Sequence, residues 1–211
     1  MIALIVTQGP ARRRRALRRL AARADLVIAA DGGARLARAC GVVPHLIIGD
    51  LDSLDPATAR WAVRRRIPRR AFPVTKDATD AERSLREAAR RGADEVWIFG
   101  AMARRMDQSL ANVLLLVAAR GLRLRARFTD GRAVAWLATK STRIDGRSGD
   151  LVSLVPLSPL VRGIVTSGLR YPLRRGSLRL GSTRGISNEI VRAPASLRVA
   201  AGDLLVMHTP R

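Results

Sequence analysis

The sequence predicts an α/β N-terminal domain, a parallel sheet with helices on both faces, and an all-β C-terminal domain that forms a small sandwich or barrel. Over about the first 120 residues, short apolar runs alternate with segments whose apolar residues recur at helical spacing, as in parallel sheets. From about Leu122 onward the helical spacing disappears, and turn residues separate short apolar runs. We expect the boundary near residues 130–140, which gives domains at 1–130 and 131–211.

Three strand and helix pairs open the N-terminal domain. Continuous apolar runs predict strands at residues 2–6, 26–30 and 46–48. The helices that follow are expected at about residues 11–23, through Leu36 and Ala37, and from residue 56 to about residue 65, where Pro56 suits the first helical turn.

Two further pairs complete this domain. A short strand near residues 71–74 precedes a helix at 80–91, for which Thr79 and Glu82 form a capping box. A strand at 95–99 precedes a helix whose buried stripe is expected to consist of Leu110, Val113, Leu114 and Val117.

The C-terminal region consists of short apolar runs between Gly, Pro, Asp and Ser turns. Runs of this length and spacing are typical of antiparallel β domains. We expect strands at 123–129, 133–137, 141–144, 151–156, 162–167, 177–180, 187–191, 196–200 and 203–208.

The chain is strongly basic, with 39 Lys and Arg against 17 Asp and Glu and a formal net charge of +22. Every basic residue except Lys76 and Lys140 is arginine. Such an excess attracts phosphate backbones, so a basic nucleic-acid-binding module is one hypothesis. The arginines are spread through nearly every segment, however, and three Phe and one Tyr offer little surface for base stacking. We therefore rank this hypothesis last and do not expect a nucleic-acid partner.

Cysteine and apolar segments indicate the compartment. Cys40 is the single cysteine, which excludes an intrachain disulfide and suits a reducing environment. His45 and His208 are too few for a zinc cluster. The N-terminal apolar run is too short for a signal peptide, and the stretch at 110–119 is shorter than a membrane span. We expect a cytoplasmic protein without membrane segments.

Acidic residues follow several of the predicted strands. Because ligands bind beyond the carboxyl ends of parallel strands, these positions indicate an active site. Asp50 and Asp52 are two apart in an extended segment, so both carboxylates can reach one Mg²⁺ ion. Asp52, Ser53 or Asp55 could instead cap the helix that begins at Pro56, so this pair alone leaves a turn and a metal site equally open. The acidic positions are Asp31, Asp50, Asp52, Asp77, Asp80 and Asp107.

Carboxylates beside arginines favour a Mg²⁺ nucleotide site, where the metal and guanidinium groups neutralise phosphate charge. The chain has no GxxxxGKS/T segment, which excludes a P-loop enzyme. Metal-dependent nucleases and sugar transferases also place paired Asp residues at a strand end. The residues alone therefore predict phosphate chemistry and leave the reaction open.

Six short motifs occur in order along the chain and touch both predicted domains. They are ADGG at 30–33, Gly41 and Pro44 with IIGDLDS at 47–53, KDATD at 76–80, RMDQSLANVLLL from Arg105, SGLRYPL from Ser167 and GISNEI from Gly185. In order and spacing these motifs resemble the thiamine pyrophosphokinase family.

The resemblance implies a homodimer, with sites at the subunit interface, that transfers pyrophosphate from ATP to the hydroxyl of thiamine and releases AMP. The N-terminal domain would bind ATP and Mg²⁺, and the C-terminal domain would bind thiamine. Asp50, Asp52 and Asp80 would hold Mg²⁺, with Asp31 near it and Asp77 as a further catalytic residue. ATP would contact Asp31, Gly32, Lys76, Arg105 and Asp107, and thiamine would contact Ser187, Asn188 and Glu189. The place of Glu189 beside the cationic thiazolium is our own hypothesis.

The chain departs from the family before Arg105, where Ala103 and Arg104 replace a usual pair of glycines. If either position needs a positive φ, the loop differs or bears strain of about 1 kcal/mol or more. This departure removes no proposed metal ligand. The alternative to the enzyme is a non-catalytic protein of the same fold that binds thiamine or a nucleotide, and thiamine-dependent AMP formation would distinguish the two.

Overall fold

The computed structural model describes residues 1–9, 13–50, 54–72, 77–100 and 106–211. The chain divides into two compact units, Met1–Gly131 and Arg132–Arg211. In the described part of the chain, no helix combines the length and the apolar character needed to cross a membrane.

The N-terminal unit is built on a parallel sheet. Its strands are β1 (Ile2–Val6), β2 (Leu26–Ala30), β3 (Leu46–Gly49), β4 (Arg69–Ala71), β5 (Glu95–Phe99) and β6 (Arg125–Thr129). Their order across the sheet is β6, β5, β1, β2, β3, β4, and each neighbouring pair is parallel. The predicted α/β class is therefore confirmed.

The helices are α1 (Arg14–Ala21), α2 (Gly33–Ala39), α3 (Pro56–Arg64), α4 (Asp80–Arg90) and α5 (Met106–Gly121). On one face of the sheet, Leu4 and Val6 of β1 pack in a cluster with Leu17 of α1 and Leu36 of α2. Successive strand residues alternate in direction, so Ile5 points to the opposite face. Helix α4, which contacts β1, β2 and β3, covers that second face.

Two helix starts follow the predicted capping chemistry. Asp55 precedes α3, and its Oδ1 accepts a hydrogen bond from the Thr58 backbone N–H at 2.9 Å. Thr79 precedes α4, and its Oγ1 accepts from the Glu82 N–H at 3.2 Å. Both side chains satisfy N–H groups that have no partner within the helix.

Two strand assignments in the N-terminal unit were wrong. Strand β4 lies at Arg69–Ala71, earlier than expected. Its residues are exposed at the edge of the sheet, where charged side chains are tolerated and apolar periodicity is lost. Strand β6 pairs in parallel with β5 and so belongs to the parallel sheet. The sequence pattern groups this run with the all-β strands, although the expected domain 1–130 includes it.

The buried face of α5 also differs from the expectation. Leu110 and Leu114 are 62% and 48% exposed, whereas Leu115 and Leu116 are buried. The buried residues are Asn112, Leu115, Leu116 and Ala119, which repeat at the same i, i+3, i+4, i+7 spacing as the predicted stripe. Because this helix is apolar on several sides, spacing alone cannot choose between its faces.

The C-terminal unit is an antiparallel β sandwich. Its strands are β7 (Val134–Leu137), β8 (Ser141–Ile144), β9 (Leu151–Pro156), β10 (Leu160–Ser167), β11 (Gly176–Arg179), β12 (Asn188–Glu189), β13 (Ala195–Arg198) and β14 (Leu204–Thr209). Within this unit β12, β9, β14 and β7 are neighbours in that order, and β11, β10, β13 and β8 form a second layer. Val152 and Val206 from the first layer pack in one cluster with Val161, Ile164 and Leu197 from the second. The predicted sandwich is therefore confirmed.

Candidate active site

The candidate site lies beyond the carboxyl ends of the parallel strands. The backbone joins four of these ends in two pairs. After β1, Thr7 N–H donates to Phe99 O of β5 at 2.9 Å, and after β2, Asp31 N–H donates to Ile48 O of β3 at 2.7 Å. Gly9 and Gly100 pack so closely that a Cβ at Gly9 would lie 2.4 Å from Gly100 O. Only glycine permits this approach of two loops.

A second close contact places the segment after β2. A Cβ at Gly33 would lie 1.9 Å from Val6 O, so α2 begins directly against the end of β1 because residue 33 has no side chain. Asp31 adopts a positive φ of 46° immediately before this turn. A non-glycine residue with positive φ is uncommon, although aspartate tolerates the conformation better than most residues.

A cavity of about 430 Å³ opens at these strand ends. It brings together Asp31 after β2, Asp80 at the start of α4 and Asp107 in the first turn of α5. These three carboxylates come from segments far apart in the sequence. The polar part of the lining is completed by Thr7, Gln8, Thr79, Gln108 and Asn112.

The start of α4 is firmly positioned at this cavity. The cap from Thr79 holds the first turn, and Ser84 Oγ donates to Asp80 O at 2.7 Å. Ser84 is fully buried. In α5, Asp107 Oδ1 accepts from the Gln108 N–H at 2.8 Å. These hydrogen bonds hold the first turns of α4 and α5, and so they position the backbone of Asp80 and Asp107.

Among the described residues, the others predicted for this site do not line the first cavity. Asp50 is half-buried directly after β3, and Asp77 lines a different cavity. Gly32 caps α2 and lies against the Gln8 side chain.

Asp52, Lys76 and Arg105 lie outside the described residues, as do Ala103 and Arg104. Among the residues that are described, no three Asp, Glu, His or Cys side chains are grouped closely enough to hold a metal ion.

The residues predicted to contact thiamine lie together at β12. The Asn188 side chain is buried, and it accepts from Tyr171 N–H at 3.0 Å and donates to Tyr171 O at 2.8 Å. Glu189 Oε1 accepts from Arg170 at 3.0 Å, and this hydrogen bond lowers the pKa of Glu189. Ser187 is exposed, and its backbone N–H donates to Ser153 Oγ at 3.0 Å. Asn188 therefore organises the loop around Tyr171, and Glu189 carries an arginine partner.

The two histidines have structural partners. His45 Nδ1 accepts from the Val27 N–H at 2.9 Å, at the entry to β3. His208 Nε2 lies 2.9 Å from Asp150 Oδ2 inside the sandwich. Burial acts to raise the pKa of Asp150, but hydrogen bonds from Arg147 N–H, His208 and Arg211 N–H together hold it below its usual value.

Sequence reasoning missed several residues of the first cavity. Thr7 and Gln8 follow β1 directly, so the rule that placed Asp31 at a strand end would also have found them. Asn112 interrupts the apolar run of α5 and is buried, which is a usable signal. The pairing of Asp150 with His208 left no signal, because the residues are 58 positions apart.

Comparison with known proteins supplies the family. The protein-family model described as thiamin pyrophosphokinase, catalytic domain, matches residues 17–127. The family model described as thiamin pyrophosphokinase, vitamin B1 binding domain, matches residues 141–202. A thiamine pyrophosphokinase of Bacillus subtilis (strain 168) is 26% identical over 186 residues, which cover 87% of each chain.

Solved structures agree over the whole chain. The crystal structure of thiamine pyrophosphokinase from Bacillus subtilis has a TM-score of 0.88 at 24% identity and covers 100% of both chains. That of thiamin pyrophosphokinase from Geobacillus thermodenitrificans has a TM-score of 0.84 at 25% identity, covering 99% of this chain and 97% of the other. Because both family models match in order and the first spans more than half of the residues, the chain belongs to the thiamin pyrophosphokinase family.

Proposed function

We propose that this protein transfers the pyrophosphoryl group of ATP to the hydroxyl of thiamine, which yields thiamine diphosphate and AMP. The observation that carries the proposal is the convergence of Asp31, Asp80 and Asp107 on one cavity at the strand ends. Membership of the thiamin pyrophosphokinase family supports the choice of substrates.

The donor chemistry of this cavity suits Mg²⁺. Carboxylate oxygens are hard ligands, and Mg²⁺ in nucleotide sites is usually held by one or two carboxylates, with water and phosphate oxygens completing its shell. Asp80 of this cavity is a proposed ligand together with Asp50 and Asp52, which follow β3 in the sequence. Asp31 lines the same cavity as Asp80, and Asp77, which lines a second cavity, is proposed as a further catalytic residue. When bound, the ion neutralises phosphate charge and polarises the phosphorus that is attacked.

The chain's own residues would act mainly by positioning. Gly32 and Asp31 would border the nucleotide, and Lys76 and Arg105 would bind its phosphates through charge-assisted hydrogen bonds. Pyrophosphoryl transfer needs the thiamine hydroxyl in line with the bond that breaks, so a fixed geometry contributes more than a strong base. Asp107 would accept hydrogen bonds from the nucleotide.

The C-terminal unit would bind thiamine. We assign Ser187, Asn188 and Glu189 to this role. The exposed hydroxyl of Ser187 can contact the vitamin directly, whereas Asn188 acts by holding the Tyr171 loop. Glu189 would provide a carboxylate near the cationic thiazolium. The same carboxylate forms an ion pair with Arg170.

We further propose a cytoplasmic homodimer with its active sites at the subunit interface, as the family resemblance implies. Dilution below the dimer dissociation constant should then lower the activity per chain. Analytical ultracentrifugation across the same concentrations would show whether the loss of activity follows the loss of dimer. Activity that stays constant while the dimer dissociates would contradict the shared site.

The central experiment is to incubate the protein with ATP, Mg²⁺ and thiamine and to measure AMP and thiamine diphosphate together. Equal amounts of both products are expected, and neither should form without thiamine or with excess EDTA. If thiamine binds but no AMP appears, the protein is a non-catalytic binding protein of the same fold. If an affinity for DNA that falls steeply with salt is found instead, with no effect of thiamine, the nucleic-acid hypothesis replaces both.

A further inference from the structure

A second cavity is lined in part by the segment that precedes α4. Asp77 and Ala78 line this second cavity, whereas Thr79, Asp80 and Ala81 line the first. Its volume is about 380 Å³. The other lining residues are Ile48, Arg70, Phe72, Arg83, Arg86, Glu87 and Arg90.

One buried carboxylate organises the arginines of this cavity. Glu87, whose side chain is 4% exposed, accepts from Arg70 at 2.9 Å, from Arg91 at 2.7 Å and from Arg90 through two bonds of 2.8 Å. Three guanidinium groups therefore meet a single negative charge. A guanidinium group carries five N–H donors, so these bonds leave donors on Arg70 and Arg90 for another acceptor.

The Phe72 ring contacts a fourth guanidinium group of this cavity, that of Arg83. The Arg83 guanidinium carbon lies 4.2 Å from the centre of the Phe72 ring, and that of Arg70 lies 5.3 Å from it. Cations are attracted to the face of an aromatic ring, and the contact restricts long side chains that would otherwise be mobile. The positive groups are therefore partly preorganised before any ligand binds.

The described lining carries more positive than negative charge. Four arginines line the cavity against the carboxylates of Asp77 and Glu87. Arg86 also pairs with Glu82 outside the cavity, but its side chain remains 65% exposed. The side chains of Arg70 and Arg90 are 52% and 65% exposed. An anion that enters can therefore reach several guanidinium groups without displacing Glu87.

We propose that this second cavity binds a small anion bearing a diphosphate group, separately from the proposed catalytic cavity. Arginine binds phosphate oxygens through paired, charge-assisted hydrogen bonds, and two adjacent phosphates match several guanidinium groups better than one does. The diphosphate can come from free pyrophosphate, from a nucleoside diphosphate or from thiamine diphosphate. The inference rests on the arginine geometry and does not require the proposed function.

The test is calorimetric titration of the whole 211-residue chain with sodium pyrophosphate at about 0.15 M ionic strength, where the Debye length is about 8 Å. EDTA is present, so that the carboxylates of the first cavity have no metal with which to attract the anion. The test variant is Arg83→Gln with Arg86→Gln, which removes two lining charges three residues apart on α4. The matched control is Arg15→Gln with Arg18→Gln, which removes two exposed charges at the same spacing on α1.

We expect pyrophosphate to bind the unmodified protein, and the α4 variant to bind about tenfold more weakly or worse, which is a loss of about 1.4 kcal/mol. The α1 control should change affinity by less than about twofold, because distant exposed charges are screened. Circular dichroism verifies that both variants are folded. Phe72→Leu, which keeps every charge but removes the ring beneath Arg83, should also weaken binding.

Titrations with ADP and thiamine diphosphate identify the source of the diphosphate. The proposal is supported if either ligand binds more tightly than pyrophosphate and loses the same affinity in the α4 variant. The absence of saturable binding by all three ligands would overturn it. Equal weakening in the α1 and α4 variants would overturn it as well, since general charge would then explain the binding. Binding of duplex DNA that depends on Arg83 and Arg86, without pyrophosphate binding, would assign the cavity to nucleic acid instead.

Discussion

Asn188 holds the backbone of Tyr171 on both sides, accepting from its N–H at 3.0 Å and donating to its carbonyl oxygen at 2.8 Å. The same Oδ1 atom also accepts from the Glu189 N–H at 2.9 Å. One buried amide therefore joins β12 to the loop that carries Tyr171, a residue that is 69% exposed. The loop is ordered by hydrogen bonds and not by burial of its aromatic ring.

Replacing Asn188 by Ala should destabilise the protein. The change leaves backbone groups of Tyr171 without their partner, which typically costs about 1–3 kcal/mol. Urea denaturation followed by circular dichroism measures the free energy of unfolding. Ser187→Ala is the matched control, because its neighbouring side chain is exposed. Equal stability of the two variants would show that the bonds to Tyr171 contribute nothing.

Replacing Gly33 by Ala should disturb the end of β1. The added Cβ would lie 1.9 Å from Val6 O, and backbone atoms can relieve such a clash only by moving. We expect a loss of about 2 kcal/mol in the free energy of unfolding, together with a higher KM for ATP, because the adjacent Asp31 lines the cavity.

Gly121→Ala is the control for Gly33→Ala. Gly121 is the last residue of α5, and an added Cβ there meets no atom within 4 Å. Because alanine loses less backbone entropy on folding, this control should be neutral or stabilising by up to about 1 kcal/mol. A Gly33→Ala protein as stable as the Gly121→Ala protein would refute the proposed clash.

The cluster around Glu87 should make stability depend on pH in acid. Hydrogen bonds from Arg90 lower the pKa of Glu87 most, burial opposes them, and Arg91 adds to the lowering, so that the pKa falls from 4.5 to about 2. The folded protein therefore holds the charged form more strongly than the unfolded chain does. The resulting stabilisation is complete above the unfolded pKa and is lost as the pH falls from 4.5 toward 2.

Glu87→Gln measures this contribution. At pH 7 the variant should be less stable by about 2 kcal/mol, a figure that allows for screening around the exposed guanidinium groups. The difference from the unmodified protein should shrink as both are titrated below the ordinary glutamate pKa. Glu82→Gln removes a partly exposed carboxylate that pairs with Arg86, and among the described residues it has fewer arginine partners than Glu87, so it should have a smaller effect. A difference that stays constant with pH would rule out the charge as its cause.

Asp80→Asn should abolish catalysis without unfolding the protein. The change removes a proposed Mg²⁺ ligand at the cavity, so AMP formation should fall by at least about a hundredfold. Rates of AMP release at saturating ATP and thiamine measure the effect, and the thermal unfolding midpoint reports on the fold. Asp145→Asn, at an exposed residue paired with Arg143, is the control and should retain full activity. Normal turnover by Asp80→Asn would remove this residue from the proposed metal site.

Much of the fold could be predicted because its signals are local. The strands at Ile2–Val6, Leu26–Ala30 and Glu95–Phe99 match the apolar runs residue for residue. Caps at Asp55 and Thr79 depend on atoms only three residues apart, which a short sequence window contains. Strand β4 was misplaced because an exposed edge strand carries no apolar pattern.

The candidate site was predicted in part for the same reason. Acidic residues after strands indicated one edge of the sheet, and Asp31, Asp80 and Asp107 do line one cavity there. Asp77 faces the second cavity, a difference that strand ends cannot reveal because it depends on the direction of each side chain in the turn before α4.

By itself, the sequence determined the type and order of the elements and the end of the sheet at which acidic residues collect. Periodicity, turns and caps involve residues close together in the chain, so their energetics are already present in short segments. The tertiary structure alone decided which face of α5 is buried, which arginines surround Glu87 and that Asp150 meets His208. These outcomes depend on how whole elements pack, and packing selects among local patterns that fit the chain equally well.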